Sequence, residues 1–433
     1  MRPIISPPAK ALLLLTLGYA GYYFCRASFS VAKPQLIEFL SSGGTMDAAA
    51  AKIALGGVAS AATLAYAGGK FASGALADFW SGRRNFLLGM GGAIVFNLMF
   101  ALSGTLPLFT LAWVLNRLIQ ALGWPGAVKV TGSWYPKASY GTAVGILSLS
   151  YLFGDFAARL FHGALIGAGL GWQALFFGGA GVLTLLLIAN TLFLRENTTT
   201  KLTETQKLTE TQKLTETQKP TETHEIVAAD DEPELDAKAF LRSPSFWCVC
   251  LISLAFTLAR ETFNEWSPTY LVEFGKLTKA NAATQSSFFP LFGGFAVILA
   301  GKLSDGLGRS GRAFILLLSL PIIALLLSSL ALLPAGSPLI IFAISAIGFF
   351  LIGPYSFLAG ALSLDFGGKK SGATASGIID GIGYLGGVLA GESMARLSVA
   401  LGWKGAFFTL SGVLLASLIP AFYFWTQQKK RDV

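Results

Sequence analysis

The octapeptide LGWQALFF at residues 170–177 returns as LGWKGAFF at residues 401–408, 231 positions later. Three shorter stretches repeat at nearly the same interval: GALAD (74–78) with GKLSD (301–305), YLFG (151–154) with YLGG (384–387), and CRASF (25–29) with ARETF (259–263). Four matched pairs with intervals within seven residues of one another indicate an internal duplication. The sequence therefore predicts two structurally equivalent halves.

The composition is that of a protein embedded in a lipid bilayer. Of the 433 residues, 53% are hydrophobic and 13% are charged, whereas about 25% of the residues of a soluble domain are charged. Twelve apolar stretches are long enough to cross a membrane as helices. They lie near residues 11–32, 50–76, 85–104, 108–130, 140–167 and 172–194, and near 245–271, 283–303, 313–333, 338–362, 372–398 and 404–425. The predicted fold class is an all-α membrane protein, with twelve transmembrane helices in two pseudo-symmetric six-helix bundles.

A polar segment separates the two sets of spans. KLTETQ occurs three times in residues 201–218, and a run of acidic residues follows. Such a segment cannot bury a core, which favours a low-complexity linker over a regulatory segment. The predicted domains are an N-terminal bundle at 1–194, a cytoplasmic linker at 195–243 and a C-terminal bundle at 244–433.

Basic residues in the loops predict the orientation in the membrane. Lys and Arg are concentrated between spans 2 and 3, between spans 8 and 9 and at the end of the chain, whereas loops 102–110 and 333–340 contain none. Because cytoplasmic loops carry the excess of Lys and Arg, both termini are expected in the cytoplasm. We expect a bacterial inner membrane, and we assign the net charge of +9 to these loops rather than to nucleic-acid binding.

The sequence gives little support for catalysis or metal binding. The three cysteines lie in apolar runs without metal-ligand spacing, and the chain has only two histidines. No nucleophile is paired with a base. We therefore predict a protein that is not an enzyme, that needs no metal or cofactor, and that acts as a monomer on a small molecule within the bilayer.

Arg26 lies in the middle of the first span, in the stretch GYAGYYFCRASFSVAKPQL (18–36). A charge at mid-membrane costs about 2.5–3.5 kcal/mol on insertion scales, so Arg26 is expected to face a cavity rather than lipid. Helical spacing places Tyr19 and Tyr23 on the same stripe. Arg260 occupies the equivalent position in span 7.

Two arginines that approach from equivalent positions repel each other unless an anion lies between them. A phosphate or phosphonate fits, because its oxygens match the two-point geometry of a guanidinium group. The structural alternative is that Glu261, Glu265 or Asp380 neutralises the arginines.

Other polar residues within the spans are expected near this site. Lys70 in span 2 either attracts anions or extends to the interface. Asp380 lies four residues before Tyr384, so both side chains share a face, where Asp380 would carry a proton, bind an amine or pair with an arginine. Arg117 and Asp155 are further charged groups within the spans. Breaks are expected at Trp124-Pro125 in span 4 and at Gly353-Pro354 in span 10.

Two motifs carry a resemblance to a known family. GALAD (74–78), followed by GRR (82–84), resembles the loop 2–3 signature of the major facilitator superfamily. YYFCRASFSVAKPQL (22–36) and RETFNEWSPTYL (260–271) are similar, more narrowly, to the organophosphate:phosphate antiporters. The resemblance covers essentially the whole chain outside the linker.

This resemblance implies roles for individual residues. Arg26 and Arg260 match the arginines that clamp phosphate, and Lys70 matches the lysine of span 2. Glu265 stands at an aspartate position and Tyr151 at a histidine position of the glycerol-3-phosphate transporter. The complete predicted substrate-binding set is Arg26, Arg260, Tyr19, Tyr23, Lys70, Trp124, Tyr151, Asn264, Glu265, Asp380 and Tyr384.

The predicted function is a secondary transporter that exchanges an organic phosphate ester for inorganic phosphate by alternating access. Glycerol-3-phosphate or a sugar phosphate is the expected class of substrate. Two alternatives stay open. One is a proton-coupled carrier of another small solute, because Arg117-Leu-Ile-Gln120 resembles a span 4 motif of proton-coupled antiporters. The other is a phosphate-ester sensor that does not transport.

Overall fold

The computed structural model describes residues 6–44, 46–197, 240–358 and 360–431. These residues are almost entirely helical and contain no strand. The first half comprises α1 (Pro7–Ser42), α2 (Ala48–Phe79), α3 (Gly82–Leu102), α4 (Leu106–Gln120), α5 (Gly123–Trp134), α6 (Lys137–Gly167) and α7 (Trp172–Phe193). The second half comprises α8 (Pro244–Glu273), α9 (Lys279–Ser286), α10 (Phe288–Leu332), α11 (Leu339–Leu358), α12 (Ala361–Ala400), α13 (Gly402–Ala416) and α14 (Leu418–Arg431).

These helices form the twelve predicted spans. Span 4 consists of α4 and α5, and span 12 of α13 and α14, while α9 and the first part of α10 form span 8. By length and apolar composition, ten helical stretches of the described residues qualify as membrane spans. The two spans outside this set are α1 and the second part of α12. Both carry charged residues, including Arg26 and Asp380, that face a cavity instead of lipid. The predicted all-α membrane fold is confirmed.

Two glycines allow continuous runs of helix to reverse direction. In α10, Gly308 has φ 64° and ψ −164° and separates spans 8 and 9. In α12, Gly368 has φ 57° and ψ −158° and separates the first turns from span 11. Residues with a Cβ atom rarely adopt such positive φ values, so glycine is required at both turns. The chain has many glycines, and no sequence signal predicts that the turns occur at these two.

The two predicted proline breaks have different outcomes. Span 4 is interrupted between Gln120 and Gly123, directly before Trp124-Pro125, as expected. The prediction for span 10 is wrong, because α11 continues through Pro354 to Leu358. A helix tolerates proline when neighbouring groups satisfy the freed carbonyl.

The repeated octapeptide has the same packing role in each half. Trp172 and Phe176 pack on Phe100 with ring centroids 6.2 and 4.2 Å apart. In the second half, Trp403 packs edge-on against Tyr270, with ring centroids 5.3 Å apart. Phe407 packs on the same Tyr270 ring at 4.9 Å and stacks on Phe263 at 5.9 Å. Aromatic packing by this motif therefore holds the last span of each half to a neighbouring span, which is span 3 in the first half and span 7 in the second.

Ion pairs join the two halves at one end of the molecule, where α1 and α8 end and α2 begins. Lys33 pairs with Glu265 at 2.5 Å, and Lys52 pairs with Glu273 at 2.7 Å. A third pair links Glu38 to Lys279. The Trp403 indole also donates a hydrogen bond to Glu273 at 2.7 Å. These contacts close this end of the interface.

Some predictions fall on parts of the chain outside the described residues. Most of the linker, residues 198–239, is among them. So are the side chains of residues 74–79 and 305, which include the whole of the first GxLxD motif and the aspartate of the second. The domain boundaries at 194 and 243 therefore stay a prediction.

Helices α2 and α12 pack closely enough that a single methyl group should disturb their contact. A Cβ atom on Gly391 would lie 2.6 Å from the carbonyl oxygen of Gly56 and would contact Ser60. We expect Gly391→Ala to lower the unfolding free energy in detergent by about 1–3 kcal/mol, because neither backbone can yield. Thermal unfolding of the purified protein measures this. Gly412→Ala, with open space around Gly412, is the control and should not lower stability. Equal effects of both variants would contradict the close packing.

Candidate functional site

A central cavity of about 740 Å³ lies between the two halves. This volume is typical of small-molecule sites. Its lining extends from mid-membrane towards the end opposite the three ion pairs, past Gly145, Ser304 and Ala361. All the predicted site residues contribute to the lining: Arg26, Arg260, Tyr19, Tyr23, Lys70, Trp124, Tyr151, Asn264, Glu265, Asp380 and Tyr384. Whether they bind substrate stays a prediction at this point.

Arg26 reaches the cavity from α1 and is held by uncharged groups. Its Nε donates a hydrogen bond to Gln120 Oε1 at 3.2 Å, and its Nη1 donates to the Tyr23 hydroxyl at 3.0 Å. The guanidinium carbon lies 4.8 Å from the ring centroids of both Tyr23 and Tyr66. No carboxylate in the described part of the chain forms an ion pair with it. Arg26 therefore keeps an uncompensated positive charge.

Arg260 lies on α8 and is partly neutralised, which breaks the expected symmetry. Its Nη2 pairs with Glu261 Oε1 at 2.7 Å, and its guanidinium carbon lies 4.3 Å from the ring centroid of Tyr355. Its Nε is buried without a hydrogen-bond partner. Glu261 also accepts a hydrogen bond from the Asn264 side chain at 3.4 Å. The pairing with Glu261 matches the structural alternative considered for the arginines, but only for Arg260.

Lys70 and Asp380 connect the two halves on the open side of the cavity. Lys70 Nζ and Asp380 Oδ2 are 2.5 Å apart. The same ammonium group lies 4.6 Å from the ring centroid of Tyr384, and this ring packs against Tyr66 at 5.4 Å. Lys70 thus points into the cavity rather than to the interface. Of the roles considered for Asp380, the structure shows pairing with a cation, which is a lysine and not an arginine.

Glu265 faces the cavity, and a lysine on the side away from the cavity neutralises its negative charge. It accepts a hydrogen bond from Lys33, which is completely buried and also donates to the Glu265 carbonyl at 3.0 Å. The Lys33 ammonium group lies 4.2 Å from the ring centroid of Trp266. Glu265 therefore forms a boundary between the cavity and the closed end.

The wall of the cavity in the first half is aromatic. Tyr19 packs against Trp124 at 5.2 Å and against Tyr23 at 6.1 Å between ring centroids. Tyr23 in turn packs against Tyr151 at 6.3 Å. The helical spacing in α1 predicted that Tyr19 and Tyr23 share a face with Arg26, and all three line the cavity.

Among the charged and tyrosine side chains of the lining, three were not predicted. Tyr66 lies four residues before Lys70 and Arg159 four residues after Asp155, so helical spacing was a signal that would have found both. Arg159 pairs with Asp155 at 3.0 Å and donates a hydrogen bond to the Asn264 carbonyl at 2.9 Å. Tyr355 follows Gly353-Pro354 directly, and no sequence signal marked it.

The chemistry of the cavity suits an anion with several oxygens. Guanidinium, ammonium and phenol groups supply positive charge and hydrogen-bond donors from both halves. Within the described ranges, no group of three or more His, Cys, Asp or Glu side chains is placed to hold a metal ion.

The chain is thus a multi-pass, all-α membrane protein whose two sets of helices enclose a cavity rich in cations. It belongs to the Major Facilitator Superfamily, whose family model matches residues 15–391.

Curated relatives of similar length narrow the comparison. The probable hexose phosphate transport protein of Chlamydia trachomatis is 29% identical over 424 residues, which cover 96% of this chain and 90% of the relative. The glycerol-3-phosphate transporter of Bacillus subtilis is 24% identical over 429 residues, covering 96% and 92%. The membrane sensor protein UhpC of Salmonella typhimurium is 27% identical over 413 residues, covering 94% and 90%. These relatives confirm the resemblance to the organophosphate:phosphate antiporters, and none of them is named as an enzyme.

Solved structures confirm the fold. The D-xylose-proton symporter superimposes with a TM-score of 0.74, covering 96% of this chain and 97% of that one. Its sequence is only 14% identical, so the likeness extends to the architecture alone.

The pair between Lys33 and Glu265 should stabilise the closed end. Loss of one partner of a buried ion pair costs about 3–5 kcal/mol, because the other charge is left buried and alone. We expect Lys33→Met and Glu265→Gln each to destabilise the protein by about this amount, and the double variant to recover most of the loss. Chemical unfolding in detergent measures the cycle.

Arg396→Met provides the control for this cycle. Its ion pair with Glu392 is mostly exposed, so the variant should change stability by about 1 kcal/mol or less. Additive effects of the two single substitutions would argue against the buried pair.

Proposed function

We propose that this protein is a secondary transporter that exchanges an organic phosphate ester for inorganic phosphate by alternating access, with the phosphate held by Arg26 and Arg260. The observation that carries the proposal is the uncompensated guanidinium of Arg26 in a cavity that Arg260 lines from the other half. Relatives named as hexose phosphate and glycerol-3-phosphate transporters support the substrate class.

Phosphate is favoured over a neutral solute by the charge of the site. A phosphate ester carries about −1.5 to −2 charges near neutral pH and accepts several charge-assisted hydrogen bonds. Arginine suits it because the planar guanidinium group contacts two oxygens at once. The aromatic wall formed by Tyr19, Tyr23 and Trp124 offers an apolar surface beside the charged one.

Exchange, rather than one-way transport, follows from the cost of an empty site. In an occluded state without ligand, the charge of Arg26 would be enclosed and unpaired, which is unfavourable in a low-dielectric interior. A bound phosphate removes this cost in both directions of travel. The ligand therefore lowers the barrier by stabilising the occluded state, and it does not drive the motion itself.

We propose that the structure is an inward-facing form in a bacterial inner membrane. The cavity extends to the end that carries the Arg309 and Arg312 loop, and the opposite end is closed by three ion pairs between the halves. An excess of Lys and Arg marks the cytoplasmic side. Both termini then lie in the cytoplasm. The cavity is formed within a single chain, so the protein would act as a monomer.

The non-transporting sensor stays a second candidate, because the relative named as the membrane sensor protein UhpC is as similar as the transporters. The two functions differ in flux. A sensor would bind inorganic phosphate or a phosphate ester without exchanging it across phosphate-loaded liposomes, whereas the transporter would exchange it.

The repeats of the linker should be dispensable for transport. Residues 201–224 consist of polar repeats that cannot form a core, and we propose that they only connect the domains 1–194 and 244–433. Deletion of these residues should leave the exchange of labelled phosphate in liposomes within about twofold of the full chain. Loss of exchange despite normal insertion would instead support a regulatory role.

Replacement of either arginine by lysine should abolish or severely reduce phosphate exchange. Lysine keeps the charge of Arg26 or Arg260 but loses the two-point contact. We expect at least a tenfold decrease in exchange of labelled inorganic phosphate by proteoliposomes. Arg396→Lys, which alters a mostly exposed arginine, is the matched control and should exchange normally. Normal exchange by Arg26→Lys or Arg260→Lys would rule out the two-arginine clamp.

A further inference from the structure

Arg117 is a buried cation to which the proposed clamp gives no role. It lies on α4, lines the cavity and is 5% exposed. Its Nη1 is buried without a hydrogen-bond partner, and no acid within the described ranges forms an ion pair with it. A buried, unpaired guanidinium is expensive unless a ligand completes it.

The other charges of the cavity lining are paired within the described part of the chain. Three cations have acidic partners: Lys70 with Asp380, Arg159 with Asp155 and Arg260 with Glu261. The remaining acid of the lining, Glu265, pairs with Lys33. Arg26 and Arg117 are left, and together they carry two positive charges without a counter-charge.

These two arginines lie close together. Each guanidinium carbon is 4.8 Å from the ring centroid of Tyr66, so the two carbons are separated by at most twice this distance. Gln120, which accepts a hydrogen bond from Arg26, lies three residues after Arg117 on the same helix face. Gln120 also donates a hydrogen bond to Asn116 at 2.5 Å, so its amide is fixed in this orientation. Two like charges within this distance repel each other more in a low-dielectric medium than in water.

We propose that Arg117 is a phosphate ligand, and that it forms with Arg26 and Tyr66 a subsite in the N-terminal half for a phosphoryl dianion. Two unpaired positive charges match the charge of a phosphate monoester near neutral pH. This inference rests on the proposed function, because it adds a residue to the same site. In a clamp made only of Arg26 and Arg260, each half contributes one arginine. With Arg117 included, cations of the N-terminal half balance most of the negative charge of the ligand.

The test compares Arg117→Gln with the wild type, using inorganic phosphate as the probe and the full chain in detergent. Titration calorimetry gives the affinity, and thermal unfolding gives the stability with and without phosphate. We expect at least tenfold weaker phosphate binding. Without phosphate, Arg117→Gln should raise Tm, because the substitution removes a repulsive, unpaired charge. Arg117→Lys should keep a Tm near that of the wild type and bind phosphate with intermediate affinity. Arg396→Gln is the control and should match the wild type in affinity.

The outcomes separate this inference from the proposed function. If the wild type binds phosphate and Arg117→Gln binds it equally well, the inference is overturned and the proposed function stands. If the wild type binds no phosphate or phosphate ester, both are overturned. A lower Tm or failure to fold of Arg117→Gln would indicate a structural role and overturn the inference. Dimethyl phosphate, a monoanion, tests the charge match: the preference for inorganic phosphate over it should shrink in Arg117→Gln.

Discussion

The structure depends on positive charge held inside a membrane-spanning bundle, where the described acids of the cavity lining leave two arginines without an ion pair. A guanidinium at mid-membrane requires a polar enclosure, and this requirement accounts for the cavity, its tyrosines and its ion pairs. Most cations of the lining form ion pairs with acidic side chains, as Lys70 and Arg260 do. Arg26 forms no ion pair with a described acid, and the neutral groups of Gln120, Tyr23 and Tyr66 surround it. Under the proposed function, the remaining positive charge favours an anion before any detail of shape is considered.

The ion pairs between the two halves connect the cavity to the conformation of the protein. Lys33 with Glu265 and Lys52 with Glu273 join the halves at one end, so opening that end must break buried or half-buried charge contacts. Glu265 takes part in both features, because it lines the cavity and also receives Lys33. A ligand that changes the charge near Glu265 therefore acts on the contact that keeps this end closed. Under the proposed mechanism, this residue links occupancy of the site to rearrangement of the halves.

Much of the fold was predictable because a membrane imposes simple rules on a sequence. Length and hydrophobicity located twelve spans, and the repeated octapeptide located their twofold relation. The rules did not locate the turns at Gly308 and Gly368, because a chain with 50 glycines offers many candidates for a positive φ. They also misjudged Pro354, since a span embedded among neighbouring helices tolerates a proline that would break an isolated helix.

For the site, the sequence predicted which residues line the cavity better than it predicted which of them contact one another. Charged residues in apolar spans are few, and all of the predicted site residues line the cavity. Helical spacing describes one helix at a time and cannot report which acid from another helix reaches a given cation. The partner of Lys70 on another helix, Asp380, was therefore beyond prediction. Tyr66 was missed for another reason, because tyrosine is common at membrane interfaces and a single tyrosine in span 2 does not by itself indicate a site.

The difference between Arg26 and Arg260 changes how a clamp of two arginines would close. Arg260 is already bound to Glu261 at 2.7 Å, so a phosphate must compete with this carboxylate for the guanidinium group. Such competition is feasible because Glu261 contacts Arg260 through Nη2, which leaves Nη1 as a donor for a ligand. Arg26 needs no such exchange. The phosphate would therefore bind first to the half that contributes Arg26, and Arg260 would join it as the halves approach. This order follows from the pairing of the arginines and not from their symmetric positions in the sequence.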